Sequence, residues 1–116
     1  MLQLSAKEIK RMCMLPVEVN NDIITKFIPI AEKLYVKELL GTALYEDMLK
    51  GNYPTLTKEC RTLLAVATMY SLSPFYLEEK YYNHLEQQLE YVITSLKQKL
   101  SSNPRKYHLY RASTLI

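Results

Sequence analysis

Apolar side chains recur at spacings of three and four along nearly the whole chain, the period of helices that turn one face to a core. Ser5 followed by Glu8 has the spacing of a capping box, which predicts a short helix over residues 6–14, stopped by Leu15-Pro16. Asn20 or Asn21 can cap the next segment, where Ile23, Ile24, Phe27, Ile28, Ala31, Leu34 and Tyr35 make one wide apolar face. Pro29 lies inside that face and cannot donate to the carbonyl of Thr25, so the pattern predicts either a kink or a helix that begins near Phe27. Gly41 is the sharpest punctuation: it suits a left-handed C-cap, and Thr42 suits the N-cap of a further helix over residues 43–50.

Gly51-Asn52 and Tyr53-Pro54 close that helix. Thr57, with Glu59 in the first turn, opens a longer one in which Cys60, Leu63, Leu64, Ala67, Tyr70 and Ser71 share a face, so this helix should be central and buried. Ser73-Pro74 predicts a kink within it, or the cap and first residue of a new helix. From Tyr81 on, Leu85, Leu89, Val92, Ile93, Leu96 and Leu100 form an almost heptad-spaced seam flanked by Glu86, Gln87, Glu90, Lys97 and Lys99. Ser101-Ser102-Asn103-Pro104 breaks it, and nothing periodic follows. The expected fold is all-α: a small bundle of about five helices over residues 1–102, with an extended C-terminal arm over residues 103–116.

Composition narrows this further. Two glycines in 116 residues are too few for the tight turns of a sandwich or barrel, and the length suffices for one core without covalent staples. Cys13 and Cys60 form no Cys-x-x-Cys pair and have only His84 and His108 as possible co-ligands, so both read as small apolar residues in a reducing compartment. No leader-like segment opens the chain and no apolar run approaches the roughly 20 residues of a membrane span, so a membrane partner is not expected.

The candidates for catalysis are thin. His84 sits between Asn83 and Leu85 as a solvated helix residue, and Glu46-Asp47 and Glu78-Glu79 are adjacent pairs that diverge by about a hundred degrees on a helix. No glycine-rich phosphate loop, nucleophile elbow or His-Glu-x-x-His pattern is present, so neither an enzyme nor a cofactor is expected.

Charge is more informative. The chain holds 15 Lys+Arg against 12 Asp+Glu, and three of the bases, Arg105, Lys106 and Arg111, lie in the final segment with no acid, so the excess belongs to the arm. Tyr107 and Tyr110 add rings there, and Leu109, Leu115 and Ile116 add apolar side chains that a purely solvated tail would not need. Ten tyrosines against no tryptophan suit half-wet interfaces; Tyr76, Tyr81 and Tyr82 crowd one stretch. Arg105, Lys106, Tyr107, Leu109, Tyr110 and Arg111 are accordingly the candidate partner-binding residues. The alternative is a small helical nucleic-acid-binding module whose basic, tyrosine-bearing tail contacts phosphates and stacks on bases.

Residues 24–50, reading ITKFIPIAEKLYVKELLGTALYEDMLK, carry Phe27, Ile28, Ala31, Tyr35, Leu40, Gly41, Leu44, Tyr45 and Leu49 in a pattern of Phe-Ile-x-x-Ala-x-x-x-Tyr-x-x-x-x-Leu-Gly running into x-x-Leu-Tyr-x-x-x-Leu. This pattern resembles the head-tail connector (adaptor) proteins of tailed bacteriophages and prophages, particularly those of Bacteroides-type and crAss-like phages. The likeness extends loosely over residues 5–80, and its distinctive part is a structural corner, Leu40, Gly41, Thr42, Leu44 and Tyr45. The resemblance implies a virion protein at the head-tail interface, or neck. It implies a homo-oligomeric ring, commonly of twelve copies, beneath the portal protein and in contact with further neck or tail proteins. DNA would pass through the lumen without sequence-specific binding, and the C-terminal arm would dock on the portal or on a neighbouring subunit.

Overall fold

In the computed structural model, which describes residues 1–16 and 18–110, Ser5 accepts from the Glu8 amide while the Glu8 carboxylate accepts from the Ser5 amide. This reciprocal cap opens α1, Ala6–Cys13, and Met14 ends it in the left-handed conformation. Asn20 caps the next helix by accepting from the Asp22 amide at 2.7 Å. That helix, α2, runs as an α-helix over Asn21–Ala31, widens to a π-helix over Glu32–Lys37 and tightens again over Glu38–Leu40. α3 is Thr42–Leu49, α4 is Pro54–Tyr76 and α5 is Glu79–Ser102; among the described residues there is no strand.

α4 is the hub, touching α1, α2, α3 and α5. Every residue from Leu63 to Met69 is buried, so this stretch is apolar around its full circumference and has to be covered on all sides. Glu8 pairs with Arg61 and the Cys13 thiol points to the Ala65 carbonyl, which sets α1 parallel to α4. Phe27 lies against Phe75 and Tyr76, and Tyr35 against Tyr70, which sets α2 antiparallel to it. α5 lays Leu85, Leu89, Ile93, Leu96 and Leu100 on α4, the predicted seam with Val92 at its half-buried margin. Each fully buried leucine of this kind stabilises the fold by about 1.5–3 kcal/mol.

The two internal prolines neither split nor end their helices. Pro74 removes the amide that would bond to the Tyr70 carbonyl, and the Ser73 hydroxyl donates to that same carbonyl at 2.7 Å, so α4 continues to Tyr76. Pro29 is passed without interruption as well, and the wider coil follows immediately at Glu32. The π-helical segment shifts the inward set of side chains: Val36, Leu39 and Leu40 are fully buried, and Leu34, expected on the core face, is 54% exposed. α4 begins earlier than expected, with Pro54 at the first helical position where its missing amide is no loss, instead of at Thr57.

The C-terminal segment departs most from expectation. Over residues 103–110 it is not an extended arm but a series of turns, in which the Tyr107 amide donates to the Asn103 carbonyl and the Tyr110 amide to the Tyr107 carbonyl. Tyr107 is 2% exposed and belongs to the core, so the folded body does not end at residue 102. The reason is the Tyr107 ring itself, which packs on Tyr53 just ahead of α4, and whose burial releases water at little cost in side-chain entropy.

Ser73→Ala should lower stability by about 1 kcal/mol or more, because the Tyr70 carbonyl loses its donor in a buried setting. Ser71→Ala should change stability by less than about 0.5 kcal/mol, since the Ser71 hydroxyl bonds to the Ala67 carbonyl, which keeps its helical partner. Urea midpoints of the two variants check this; equal effects would contradict the role given to Ser73.

Candidate functional site

The corner between α2 and α3 turns on Gly41, whose φ of 80° and ψ of 156° lie in a region essentially confined to glycine. Its amide donates to the Lys37 carbonyl and its carbonyl accepts from the Tyr45 amide, so one residue closes one helix and opens the next. This is not the left-handed C-cap expected of Gly41, and Thr42 is the first helical residue rather than a side-chain cap. A Cβ at Gly41 would meet nothing within 4 Å, so glycine is required by the backbone angle and not by space. Leu40 and Leu44 are fully buried on either side of the turn, and Thr42 is exposed.

Tyr45 ties this corner to the body. Its hydroxyl donates to Oε2 of Glu32, which also accepts from the Leu2 amide at 2.9 Å. Glu32 is 3% exposed and sits at the start of the π-helical segment, so a buried carboxylate holds the corner and the stretch of chain ahead of α1 together. Burial and the carboxylate beside it hold the Tyr45 phenol protonated well above the usual tyrosine range. Sequence reasoning missed Glu32. The available signal was a single acid at an inward position of an otherwise apolar face. Of the pattern that carries the phage resemblance, Ile28, Ala31, Leu40, Leu44 and Tyr45 are buried, Phe27 and Tyr35 are half-buried, and Leu49 is exposed.

The tail residues do not act as one group. Arg105 and Lys106 are exposed on the turn, with the Lys106 ammonium 5.5 Å from the centre of the Tyr107 ring. Tyr107 packs on Tyr53 with ring centres 5.5 Å apart, beside the Lys99–Glu59 ion pair. Leu109 and Tyr110 are half-buried, and Arg111 lies outside the described residues. Tyr107 is thus an anchor of the segment rather than a ring presented to a partner, and it is not available to stack on a base.

Elsewhere, a groove of about 350 Å³ between α1, α4 and α5 is lined in part by Met12, Thr62, His84 and Tyr91. His84 is exposed, and Gln88 contributes a buried amide oxygen with no hydrogen-bond partner. No group of three or more His, Cys, Asp or Glu among the described residues could hold a metal ion. No helix among them is long and apolar enough to cross a membrane. Comparison with protein families, with curated proteins and with solved structures finds no match to this chain.

Tyr107→Ala should cost roughly 3 kcal/mol, as for other buried aromatic truncations, while Arg105→Ala on the exposed turn should stay within about 0.5 kcal/mol. Denaturant titration distinguishes them, and a neutral Tyr107→Ala would mean the tail is not fastened. Burial raises the thiols of Cys13 and Cys60 from 9.0 to about 12, with the Glu59 and Glu32 carboxylates adding to the effect at Cys60. Above pH 9.0 the unfolded chain sheds those protons while the folded chain keeps them until about 12, so stability is full below that window and falls as pH rises through it. Urea midpoints at pH 8, 10 and 11 should decline, and Cys13→Ala should make the decline shallower; a flat profile would contradict the burial argument.

Proposed function

We propose that this chain is a structural assembly protein, a head-tail connector of a tailed bacteriophage. Several copies form a ring beneath the portal protein, DNA passes through the lumen, and the C-terminal segment contacts the portal or the next subunit. The observation that carries this reading is the Leu40-Gly41-x-x-Leu44-Tyr45 corner. Its residues act together as one hydrogen-bonded and packed unit around Gly41 and Glu32, and the role they play is architectural. The anchoring of Tyr107 refines the docking role. It fixes the start of the tail on its own body, so Arg105 and Lys106 are offered at a defined place.

The test is ring formation and binding to the portal protein of a phage that carries this chain, read by co-sedimentation and by negative-stain microscopy of the purified full-length protein. Annular particles and portal binding are expected, and a chain shortened after Tyr110, which keeps the Tyr107 anchor, should bind the portal at least tenfold more weakly with unchanged helical circular dichroism. A full-length chain that forms no rings and does not bind the portal would overturn the reading.

A further inference from the structure

Charge is segregated along α5 and the turn that follows it. Glu78, Glu79, Glu86 and Glu90 stand against Lys80 at the start and first half of α5, while Arg105 and Lys106 are exposed just past its end, where Lys99 is already paired with Glu59. The helix dipole favours acids in the first turn and bases in the last, but its influence fades within a turn and does not account for Glu86 and Glu90. At 1.5 Å per residue, α5 is about 36 Å long. The molecule measures 43 × 24 × 19 Å, so the acids at the start of α5 and the Arg105–Lys106 turn lie at opposite ends of the long axis.

The acidic end also carries the exposed aromatic surface. Phe75 is 73% and Tyr76 51% exposed at the end of α4, both beside half-buried Phe27 with ring centres 6.4 Å apart. A cleft of about 330 Å³ adjoins them, lined by Pro74, Leu77, Glu79 and Tyr82 among others. Exposed aromatic rings with a charged rim are the composition of a contact surface, and the core of this fold has no use for them. At the basic end Arg105 and Lys106 are exposed on a turn that Tyr107 holds in place from beneath, so little conformational freedom remains to be lost on docking.

We propose that the acidic aromatic end of one copy receives the Arg105–Lys106 turn of a second copy. The inference rests on the assembly reading above and gives it a contact. A guanidinium stacks on tyrosine and phenylalanine faces and pairs with carboxylates at once, which suits Arg105 to Phe75, Tyr76 and Glu79. The two surfaces differ and lie at opposite ends of one molecule, so the contact is heterologous: every copy offers one of each, and a chain of copies closes into a ring when the rotation permits. The long axes then follow the circumference of the ring.

Charge reversal on the full-length chain tests this. Two variants are needed, Glu78→Lys with Glu79→Lys, and Arg105→Glu with Lys106→Glu, each checked for native helicity by circular dichroism and examined by sedimentation velocity. The unaltered chain should self-associate at low salt and dissociate as salt screens the contact. Each variant alone should associate at least tenfold more weakly, because its two ends then carry like charge. An equimolar mixture of the two should regain assembly, since each end again meets its opposite. Variants that assemble like the unaltered chain, or a mixture that stays monomeric, would overturn this contact and leave ring formation itself standing. A chain that is monomeric under every condition would overturn both.

Discussion

The stretch of α4 from Leu63 to Met69 has no side that tolerates water, and this constraint organises the rest of the molecule. A helix that is apolar around its circumference is unstable until it is enclosed, and here α1, α2, α3 and α5 each cover a sector of it. The small side chains Ala65 and Ala67 let neighbouring backbones approach closely, and the hydroxyls of Thr68, Ser71 and Ser73 bond to carbonyls of the same helix, so none of these hydroxyls asks for solvent. The covering elements need only one apolar face apiece, and their outer faces remain free to carry the charge that the assembly reading uses.

Much of this was legible in residues with a local mechanism. Ser5 with Glu8, Asn20, and the leucine seam of α5 each act through short-range geometry that a sequence displays. The failures share a cause, which is that tertiary context overrode the local signal. Pro74 reads as a break, yet Ser73 supplies the missing donor to the Tyr70 carbonyl. Leu34 reads as core, yet one stretch of wider coil turns it outward. Glu32 shows in the sequence only as a lone acid on an apolar face, and the arrival of Tyr45 and the Leu2 amide makes it a buried junction.

The C-terminal segment shows how the same signal serves two ends. Tyr107 and the bases beside it read in the sequence as one docking surface, because nothing in their spacing separates an inward ring from outward charges. The structure divides them: the ring packs on Tyr53, and the turn it fixes leaves Arg105 and Lys106 outside. Fastening of this kind turns a loose cationic tail into a positioned one, and the same segment contributes to stability and, in the proposed assembly, to the contact between copies. The corner at Gly41 is likewise a positioning device, since its backbone angle sets where α3 lies and its Tyr45 holds the π-helical stretch of α2.

Native-state hydrogen exchange tests most directly whether the tail is part of a body organised around α4. The amides of Leu63 to Met69 should exchange only through global unfolding, and the amides of Tyr107 and Tyr110, which donate to the carbonyls of Asn103 and Tyr107, should be clearly protected. Exchange of those two tail amides at the rate of an unstructured peptide, with α4 still protected, would contradict the account.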